Sequence, residues 1–312
     1  MTCKHAQPWT GRDDGPEPGN ARWHDTVIPW TRGAASGSAL LGLASDEGVR
    51  RNKGRTGAQS GPEALRAALA SMALRQPTVL HDAGDVLIDG RDLEAAQEEF
   101  ATALSDLLAD GHFTVGLGGG HEITFASYSG VASALGTEGQ WTLGILNIDA
   151  HFDLREEPRA TSGTGFSQIA RAESAAGRAF RYAAVGISET SNTNVLFDRA
   201  EALGVEVLLD EECHLGNIDR VRHFVADFAA SVDHLYLTID LDALPAAVAP
   251  GVSAPAGFGI GVEIVRAIVL TAARSGKLIH ADIAELNPVF DIDQRTARTA
   301  ARLISDLILN RG

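Results

Sequence analysis

The sequence predicts an α/β fold in which a parallel β-sheet is covered by helices on both faces. Short apolar runs alternate about eight times with longer segments of helical pattern, and connections of that length are typical of parallel strands. The chain has 312 residues, which suits one large α/β domain. Clusters of Asp and His follow several apolar runs, as expected for a site beyond the carboxyl ends of parallel strands. A closed eight-stranded barrel is consistent with the same alternation.

The apolar runs and helical patterns give the predicted elements in order. Strands are predicted at residues 39–43, 79–88, 113–117, 143–148, 181–187, 205–209, 235–239 and 278–283. Helices are predicted at residues 62–74, 92–110, 194–203, 218–230, 262–274 and 294–309, and the first opens with proline, which is favoured at helix starts. No repeat, low-complexity tract or linker divides the chain, so residues 31–312 are predicted to form a single domain. Residues 1–30 are predicted to be a loosely ordered arm, because the first 25 are polar.

Composition excludes several classes of protein. The two cysteines, Cys3 and Cys213, cannot form a disulfide framework, and no CxxC pair is present for zinc, so we predict a cytoplasmic protein. A formal charge of −15 argues against a nucleic-acid partner. No apolar run approaches the roughly 20 residues of a membrane span. The polar N-terminus also lacks the apolar core of a signal peptide.

Three polar motifs supply the residues of the predicted site. The first is Gly118-Gly119-Gly120-His121, the second runs from Asp149 to Asp153, and the third is Asp240-Leu241-Asp242. Side chains alternate between the two faces of an extended chain, so residues 149, 151 and 153 are expected to point one way, as are residues 240 and 242. The predicted metal ligands are His121, Asp149, His151, Asp153, Asp240 and Asp242.

The chemistry of these side chains indicates which metal they bind. Four carboxylates in one place would repel one another strongly unless a cation lay among them. Taken singly, each Asp is explained as a turn cap and each His as a surface group, but neither explanation accounts for the repeated spacing. Carboxylate oxygens with two imidazoles form a mostly hard ligand set, which suits Mn²⁺. We therefore predict two Mn²⁺ ions per chain that share and activate one bridging water.

Two other motif interpretations fail on single residues. The stretch from Gly116 to His121 follows a strand and opens a helix, like a dinucleotide-binding loop, but His121 occupies the position of the third glycine. The pair His121-Glu122 matches half of a zinc protease motif, but Phe125 stands where the second His would be. The glycines alone are consistent with a merely structural tight turn.

Together the motifs closely resemble the ureohydrolase superfamily, which includes arginase and agmatinase. Its pattern is GGxH, then DAHxD, then a strand ending in DxD, and finally a Glu near the last strand, which here is Glu285. The resemblance extends upstream to residues 54–62 and covers roughly residues 38–308. It implies a three-layer α-β-α fold with a central eight-stranded parallel sheet, a binuclear manganese site, and hydrolysis of a guanidino- or amidine-type C–N bond.

Within the superfamily the chain resembles the formimidoylglutamases. Arginases and agmatinases usually continue after DxD with Asp-Pro, whereas residues 243–251 here read ALPAAVAPG. Arginases also place a proton-shuttling His after an SGN-type turn, but no His occurs from residue 152 through 213. The resemblance implies cleavage of N-formimidoyl-L-glutamate to L-glutamate and formamide, a reaction of histidine degradation. Agmatinase-like or guanidinobutyrase-like hydrolysis, an iminohydrolase releasing ammonia, and a non-catalytic metal-binding homologue stay open.

Three residues are assigned roles toward the substrate. The resemblance implies that Glu285 anchors the cationic amidine nitrogen and that Asp153 carries a proton to the leaving nitrogen. Arg155 follows Asp153 by two residues, so it shares its face if the chain stays extended, and its guanidinium suits a substrate carboxylate. The alternative for Arg155 is a surface role balanced by Glu156 and Glu157. The expected partner is a small-molecule substrate, and the resemblance implies a homo-oligomer.

Overall fold

The computed structural model describes residues 3–4, 8–137 and 140–311, within which ten strands and ten α-helices occur. The strands are β1 Cys3–Lys4, β2 Ile28–Pro29, β3 Ser38–Ala44, β4 Leu80–Leu87, β5 Phe113–Gly118, β6 Leu143–Ile148, β7 Arg181–Ile187, β8 Glu206–Leu209, β9 His234–Asp240 and β10 Leu278–Ala284. The helices are α1 Trp23–Thr26, α2 Glu47–Arg51, α3 Gly61–Ala70, α4 Leu93–Ala109, α5 Ile123–Leu135, α6 Gly165–Ala175, α7 Asn194–Ala202, α8 Ile218–Ala230, α9 Val262–Ala273 and α10 Arg295–Leu309.

One sheet contains all ten of these strands, in the order β1-β4-β3-β5-β10-β9-β6-β7-β8, with β2 paired to β4. The eight long strands, β3 to β10, are mutually parallel, and only the two-residue β1 pairs antiparallel. The prediction of a central eight-stranded parallel sheet is therefore confirmed. The sheet ends at β8 and does not close on itself, so the barrel alternative is wrong.

Helices cover both faces of the sheet and bury a separate apolar core on each. One core packs α3, α8, α9 and α10 against the sheet, with Leu69, Phe228 and Ile268 among its fully buried residues. The other packs α4 to α7 on the opposite face, around Phe100 and Phe166. Every residue of β5 and β6 is buried, as expected for central parallel strands covered on both faces. The structure therefore has the three predicted layers.

Helix α6 is a long helix that the sequence pattern did not reveal. Its eleven residues include only two large apolar side chains, Phe166 and Ile169, so its periodicity is weak. Both of these side chains are fully buried in the core, and this packing stabilises the helix. Thr161 closes the turn before it, since its side chain accepts a hydrogen bond from the backbone N–H of Gly163. Tertiary burial thus determines this element.

The N-terminal segment contacts the domain through two tryptophans. Trp23 is fully buried, and the ring of Trp9 donates a 2.8 Å hydrogen bond to Asp82 on β4. Residues 1, 2 and 5–7 of the predicted arm lie outside the described residues, and the boundary at residue 30 stays a prediction. None of the helices in the described part of the chain is long and apolar enough to cross a membrane.

Candidate metal centre

Four neighbouring strands at the middle of the sheet bring the predicted site residues to one edge. In the order β5-β10-β9-β6, these strands lead into His121, Glu285, Asp240 and Asp149. Parallel strands point the same way, so their carboxyl ends meet although the residues are far apart in sequence. The sheet order alone therefore assembles the three sequence motifs and Glu285 into one site.

His121 lies at the centre of a first cluster, which we call the His121 group and which consists of His121, Asp149 and Asp153. The Nδ1 atom of His121 lies 2.9 Å from Asp153 Oδ2 and 3.2 Å from Asp149 Oδ2. Asp240 Oδ2 is 3.3 Å from the same nitrogen. The other ring nitrogen, Nε2, faces the protein interior and lies 2.9 Å from the hydroxyl of Thr238. The ring is therefore held from both sides.

His151 lies in a second cluster, the His151 group, which consists of Asp149, His151 and Asp242. His151 Nδ1 is 3.2 Å from Asp242 Oδ2 and 3.4 Å from Asp149 Oδ1. In each group the potential ligand atoms lie within 4.8 Å of one another, close enough to hold one metal ion. Asp149 belongs to both groups and directs one carboxylate oxygen to each histidine. This sharing is the geometry expected of a carboxylate that bridges two ions.

Two site residues occupy strained backbone conformations. Asp153 has a φ of 48° and Glu285 a φ of 70°, a region that costs a residue with a side chain about 1–3 kcal/mol. The side chain of Asn192 supports the loop before Asp153. It accepts a 3.1 Å hydrogen bond from the N–H of Phe152 and donates a 2.9 Å bond to the carbonyl of Ala150. The aspartates converge because the chain turns here, so the predicted extended alternation through residue 153 is wrong.

Crowding of buried carboxylates dominates the electrostatics of the metal-free site. Burial, reinforced by the negative charges of Asp242 and Asp149, raises the pKa of Asp240 well above its ordinary value. Burial also opposes the charge of His121, but hydrogen bonds to Asp149 and Asp153 outweigh it and raise the pKa of that imidazole. The charge of Asp242 is the main cause that raises the pKa of His151 to about 12. The metal-free site therefore favours bound positive charge, whether it is a proton or a metal cation.

The donor set fits divalent cations. Asp242 Oδ1 is buried and has no hydrogen-bond partner among the described residues, although buried polar atoms are almost always satisfied. The protonated imidazoles reach only some of the carboxylate oxygens around them. Four carboxylates with two imidazoles form a hard site that would accept Mn²⁺ or a similar ion. A cation among these oxygens would also remove the repulsion that raises their pKa values.

A cavity of about 510 Å³ opens above the two groups, and Arg155 lines it. The backbone of Arg155 is fixed, because its N–H donates a 2.9 Å hydrogen bond to the carbonyl of Gly163 and its carbonyl accepts one from Ser167. Glu156, proposed as a balancing charge, instead approaches Arg199 at 3.3 Å. Within the described residues, the guanidinium of Arg155 has no ion pair. The turn at residue 153, not an extended chain, places Arg155 on the cavity wall.

Glu285 lies beside the His121 group with one free oxygen. Its Oε1 accepts a 2.9 Å hydrogen bond from the backbone N–H of His121, while Oε2 is buried and has no partner in the described part of the chain. Burial, together with the charges of Glu122 and Asp242, raises the pKa of Glu285 to about 8. Because Glu285 also lines the cavity, its free oxygen is available to a cationic ligand.

Sequence reasoning missed two buried residues that support the site. Glu122 accepts 2.9 Å hydrogen bonds from the hydroxyl of Ser45 and the N–H of Gly48, and burial raises its pKa to about 7. From the sequence, Glu122 stands out only as part of a half-matched protease motif. The other missed residue is Thr238, which contacts His121. Its position two residues before Asp240, on the same face of β9, was a signal that could have revealed it.

Comparison with known proteins identifies close relatives. The model of the arginase family matches residues 36–310. The chain is 52% identical over 306 residues to a formimidoylglutamase of Rhodococcus opacus, a match that covers 97% of this chain and 95% of the relative. It is 47% identical over 296 residues to a formimidoylglutamase of Chromobacterium violaceum, with 95% of each protein covered.

Solved structures share the fold. The crystal structure of formimidoylglutamase from Bacillus subtilis matches with a TM-score of 0.83 and 22% identity, over 95% of this chain and 93% of that one. Trypanosoma cruzi formiminoglutamase, determined with Mn²⁺, matches with a TM-score of 0.80 and 24% identity, over 89% of this chain and 95% of that one. These likenesses show the same open parallel sheet between two layers of helices.

Proposed function

Because this chain belongs to the arginase family, we propose that it is a formimidoylglutamase, which splits N-formimidoyl-L-glutamate into L-glutamate and formamide. Relatives of that name share about half of its residues over nearly their whole length. The observation that carries the proposal is the shared carboxylate of Asp149, which joins two potential metal-binding groups at the floor of a cavity.

The two groups divide the predicted ligands between two Mn²⁺ ions. His121 and Asp153 would hold one ion, with Asp240 beside them, while His151 and Asp242 would hold the other. Asp149 would contribute one oxygen to each. When bound, such a pair of ions activates a shared water as nucleophile and stabilises the negative charge that develops during attack.

Glu285 is proposed to position the amidine. The formimidoyl group is cationic when protonated, and Glu285 Oε2 is a buried acceptor without a partner among the described residues. A charge-assisted hydrogen bond to an N–H of the substrate would satisfy this oxygen and hold the reactive carbon over the metal groups. The strained φ of 70° is consistent with a backbone that holds this side chain in place.

Asp153 is proposed to carry a proton to the leaving nitrogen. It is the most exposed of the four aspartates that line or floor the site, with 14% of its side chain accessible. Asp153 lines the cavity, so its carboxylate can take up a proton and release it to a bound substrate. The departing glutamate nitrogen must gain a proton, and Asp153 lies on the cavity side of the His121 group.

Arg155 is proposed to bind a carboxylate of the substrate. N-Formimidoyl-L-glutamate carries two carboxylates, whereas agmatine carries none. Arg51, Lys53 and Arg55 also line the cavity, so four cationic residues border it on a protein whose net charge is −15. Cations on the wall of a cleft attract an anionic substrate locally even where the whole molecule repels it.

The test is turnover by metal-free protein and by protein reloaded with Mn²⁺, with products identified by NMR. Formation of glutamate and formamide from N-formimidoyl-L-glutamate, only after loading, is the expected result. Ammonia and N-formylglutamate would indicate an iminohydrolase instead. Preferred hydrolysis of agmatine or guanidinobutyrate would indicate another ureohydrolase, and metal binding without turnover on any of these would indicate a non-catalytic homologue.

Elemental analysis of the same reloaded protein determines the number of ions per chain. Elemental analysis of active protein is expected to give about two Mn²⁺ per chain, and fewer than about one would contradict the two-metal proposal. A cytoplasmic location and a homo-oligomeric assembly complete the proposal. They rest on composition and on resemblance respectively, and size-exclusion chromatography with light scattering tests the assembly.

A further inference from the structure

A buried hydroxyl in the centre of the sheet contacts His121. His121 Nε2 lies 2.9 Å from the hydroxyl of Thr238. His121 directs Nδ1 toward the carboxylates of the metal site. A neutral imidazole that binds a cation through Nδ1 carries its proton on Nε2, so Nε2–H donates to Thr238.

A buried carboxylate lies beside Thr238. Thr238 and Tyr236 are two residues apart on β9, so they share a face of the sheet. The hydroxyl of Tyr236 donates a 2.5 Å hydrogen bond to Asp282 Oδ2 on β10. Ser127 of α5 donates a 2.6 Å bond to the same oxygen. All four of these residues are completely buried.

The chemistry of the imidazole fixes the direction of its contact with Thr238. When Nδ1 binds a cation, Nε2–H is the donor and the hydroxyl oxygen of Thr238 is the acceptor. Tyr236 and Ser127 donate to Asp282 in a separate buried cluster beside it.

The sheet register provides the space for this carboxylate. Asp282 pairs with Thr238 on one side and with Gly116 of β5 on the other. A Cβ atom at residue 116 would lie 2.8 Å from the Cβ of Asp282, closer than side chains pack. Gly116 thus leaves room for the side chain at residue 282, which is an aspartate in the interior of a sheet, where an apolar residue would be expected.

We propose that Thr238 is a positioning residue that holds His121 with its Nε2 protonated and its Nδ1 directed at the metal. The inference rests on the proposed function only in that the His121 group binds a divalent cation. It requires no particular substrate.

The test is the affinity of the metal-free protein for Mn²⁺, measured by calorimetry. Thr238→Val keeps the shape of the side chain but removes the acceptor for Nε2–H, and loss of such a partner typically weakens metal binding about 10–100-fold. Thr238→Ser keeps the hydroxyl and is expected to restore affinity to within about threefold of the original.

Thr114→Val is the matched control. Thr114 is a fully buried threonine on β5, and its hydroxyl lies 2.7 Å from His280 Nδ1, away from His121. It is expected to bind Mn²⁺ like the original protein. Unchanged affinity in Thr238→Val would overturn the proposal, as would an equal loss in Thr114→Val. The expected pattern of affinities in a protein that hydrolyses no amidine would support this inference and contradict the proposed function.

Discussion

The candidate site has an inner side and an outer side that differ in how the protein supports them. His121, Asp149 and Glu285 form the inner side and are at most 4% exposed. His151 and Arg155 form the outer side, where 28% of the His151 side chain is accessible and Arg155 is exposed. The fold builds the inner side through buried hydrogen bonds, whereas on the outer side Arg155 has no ion pair among the described residues and is left for a ligand. Loss of an inner residue should therefore disable the site, and loss of an outer residue should alter what it binds.

The largest effect is expected from Asp149→Asn on the inner side. Asp149 contributes to both groups, so a neutral amide there would weaken both ion sites at once. Metal stabilisation of charge is worth several kcal/mol, so kcat/KM should fall by about 10³-fold or more. Asp233→Asn, at the opposite end of β9, is the control and should leave activity unchanged. A variant that retains two Mn²⁺ and normal turnover would show that Asp149 does not join the groups.

Glu285→Gln should affect chemistry and spare the metals. The amide has the same shape and can still accept the hydrogen bond from the N–H of His121, but it lacks the charge for an amidinium. We expect kcat/KM to fall about 10²-fold or more, as for loss of a group that positions the substrate. Elemental analysis should find the Mn²⁺ content unchanged. Turnover like that of the unmodified protein would remove Glu285 from the mechanism.

The stability of metal-free protein should depend on pH through the inner carboxylates and His151. Burial and nearby negative charge raise the pKa of Glu285 to about 8, and burial raises that of Glu122 to about 7. A group that binds its proton more tightly when folded adds stability at low pH, which is lost as pH rises through its folded pKa. His151, with a pKa raised to about 12 chiefly by Asp242, acts in the same direction above its ordinary value.

The free energy of unfolding of the metal-free protein should therefore fall by about 4 kcal/mol between about pH 6.5 and pH 8, when the two glutamates and His151 are counted together. Mn²⁺ should stabilise the protein and flatten this dependence, because bound cations favour ionised carboxylates and binding adds stability by linkage. Urea denaturation with chelator or with Mn²⁺, at several pH values, measures both slopes. Equal slopes in the two conditions would contradict the electrostatic description of the inner side.

On the outer side, Arg155→Ala should change selectivity. Losing a pair of charge-assisted hydrogen bonds costs about 1.5–3 kcal/mol, or roughly 10–150-fold in kcat/KM toward N-formimidoyl-L-glutamate. Any slow turnover of agmatine should be unaffected or improved, because agmatine has no carboxylate. Arg159→Ala replaces an exposed arginine of the same loop that approaches Glu94, and it serves as the control. Equal losses on both substrates would mean that Arg155 supports the loop.

The smallest expected effect is a difference in ion affinity between the His121 group and the His151 group. His121→Asn and His151→Asn each remove one imidazole ligand, but only His121 is held by a partner on its second nitrogen, Thr238. A ligand that is already oriented loses less freedom on binding, so the His121 group should bind its ion about tenfold more tightly. Calorimetry of the unmodified protein should then show two steps, and His151→Asn should abolish the weaker one. Loss of the tighter step instead would reverse the comparison.

Much of the fold could be predicted because the sheet is buried on both faces. Strands such as β6 are continuous apolar runs with sharp polar ends, and the prediction for residues 143–148 matches β6 at both ends. The site residues could be predicted for a related reason, because they directly follow the carboxyl ends of these strands. Helix α6 was missed because only two large apolar side chains anchor it. Its stability comes from packing that a local pattern does not contain.

The supporting residues were harder to predict because their roles depend on the order of the strands. Nothing local indicates that Thr238 and Asp282 are neighbours, since the register that pairs β9 with β10 places them together. Arg155 was assigned to the cavity from an extended chain, yet the positive φ of Asp153 shows that the chain turns there. Glu122 has its hydrogen-bond partners in residues 45–48, which the sequence pattern did not connect with it.

The position of β10 bears on when the site can form during synthesis. This strand lies between β5 and β9 but follows both in the sequence, so the centre of the sheet is completed only after β10 has left the ribosome. His121 emerges early, but its N–H finds Glu285 only after residue 285 has followed. A nascent chain that ends before β10 has an open gap in the middle of its sheet and an incomplete pocket. The His121 group is thus assembled only after β10 has joined the sheet, whereas the His151 group lies at the ends of β6 and β9, which pair directly.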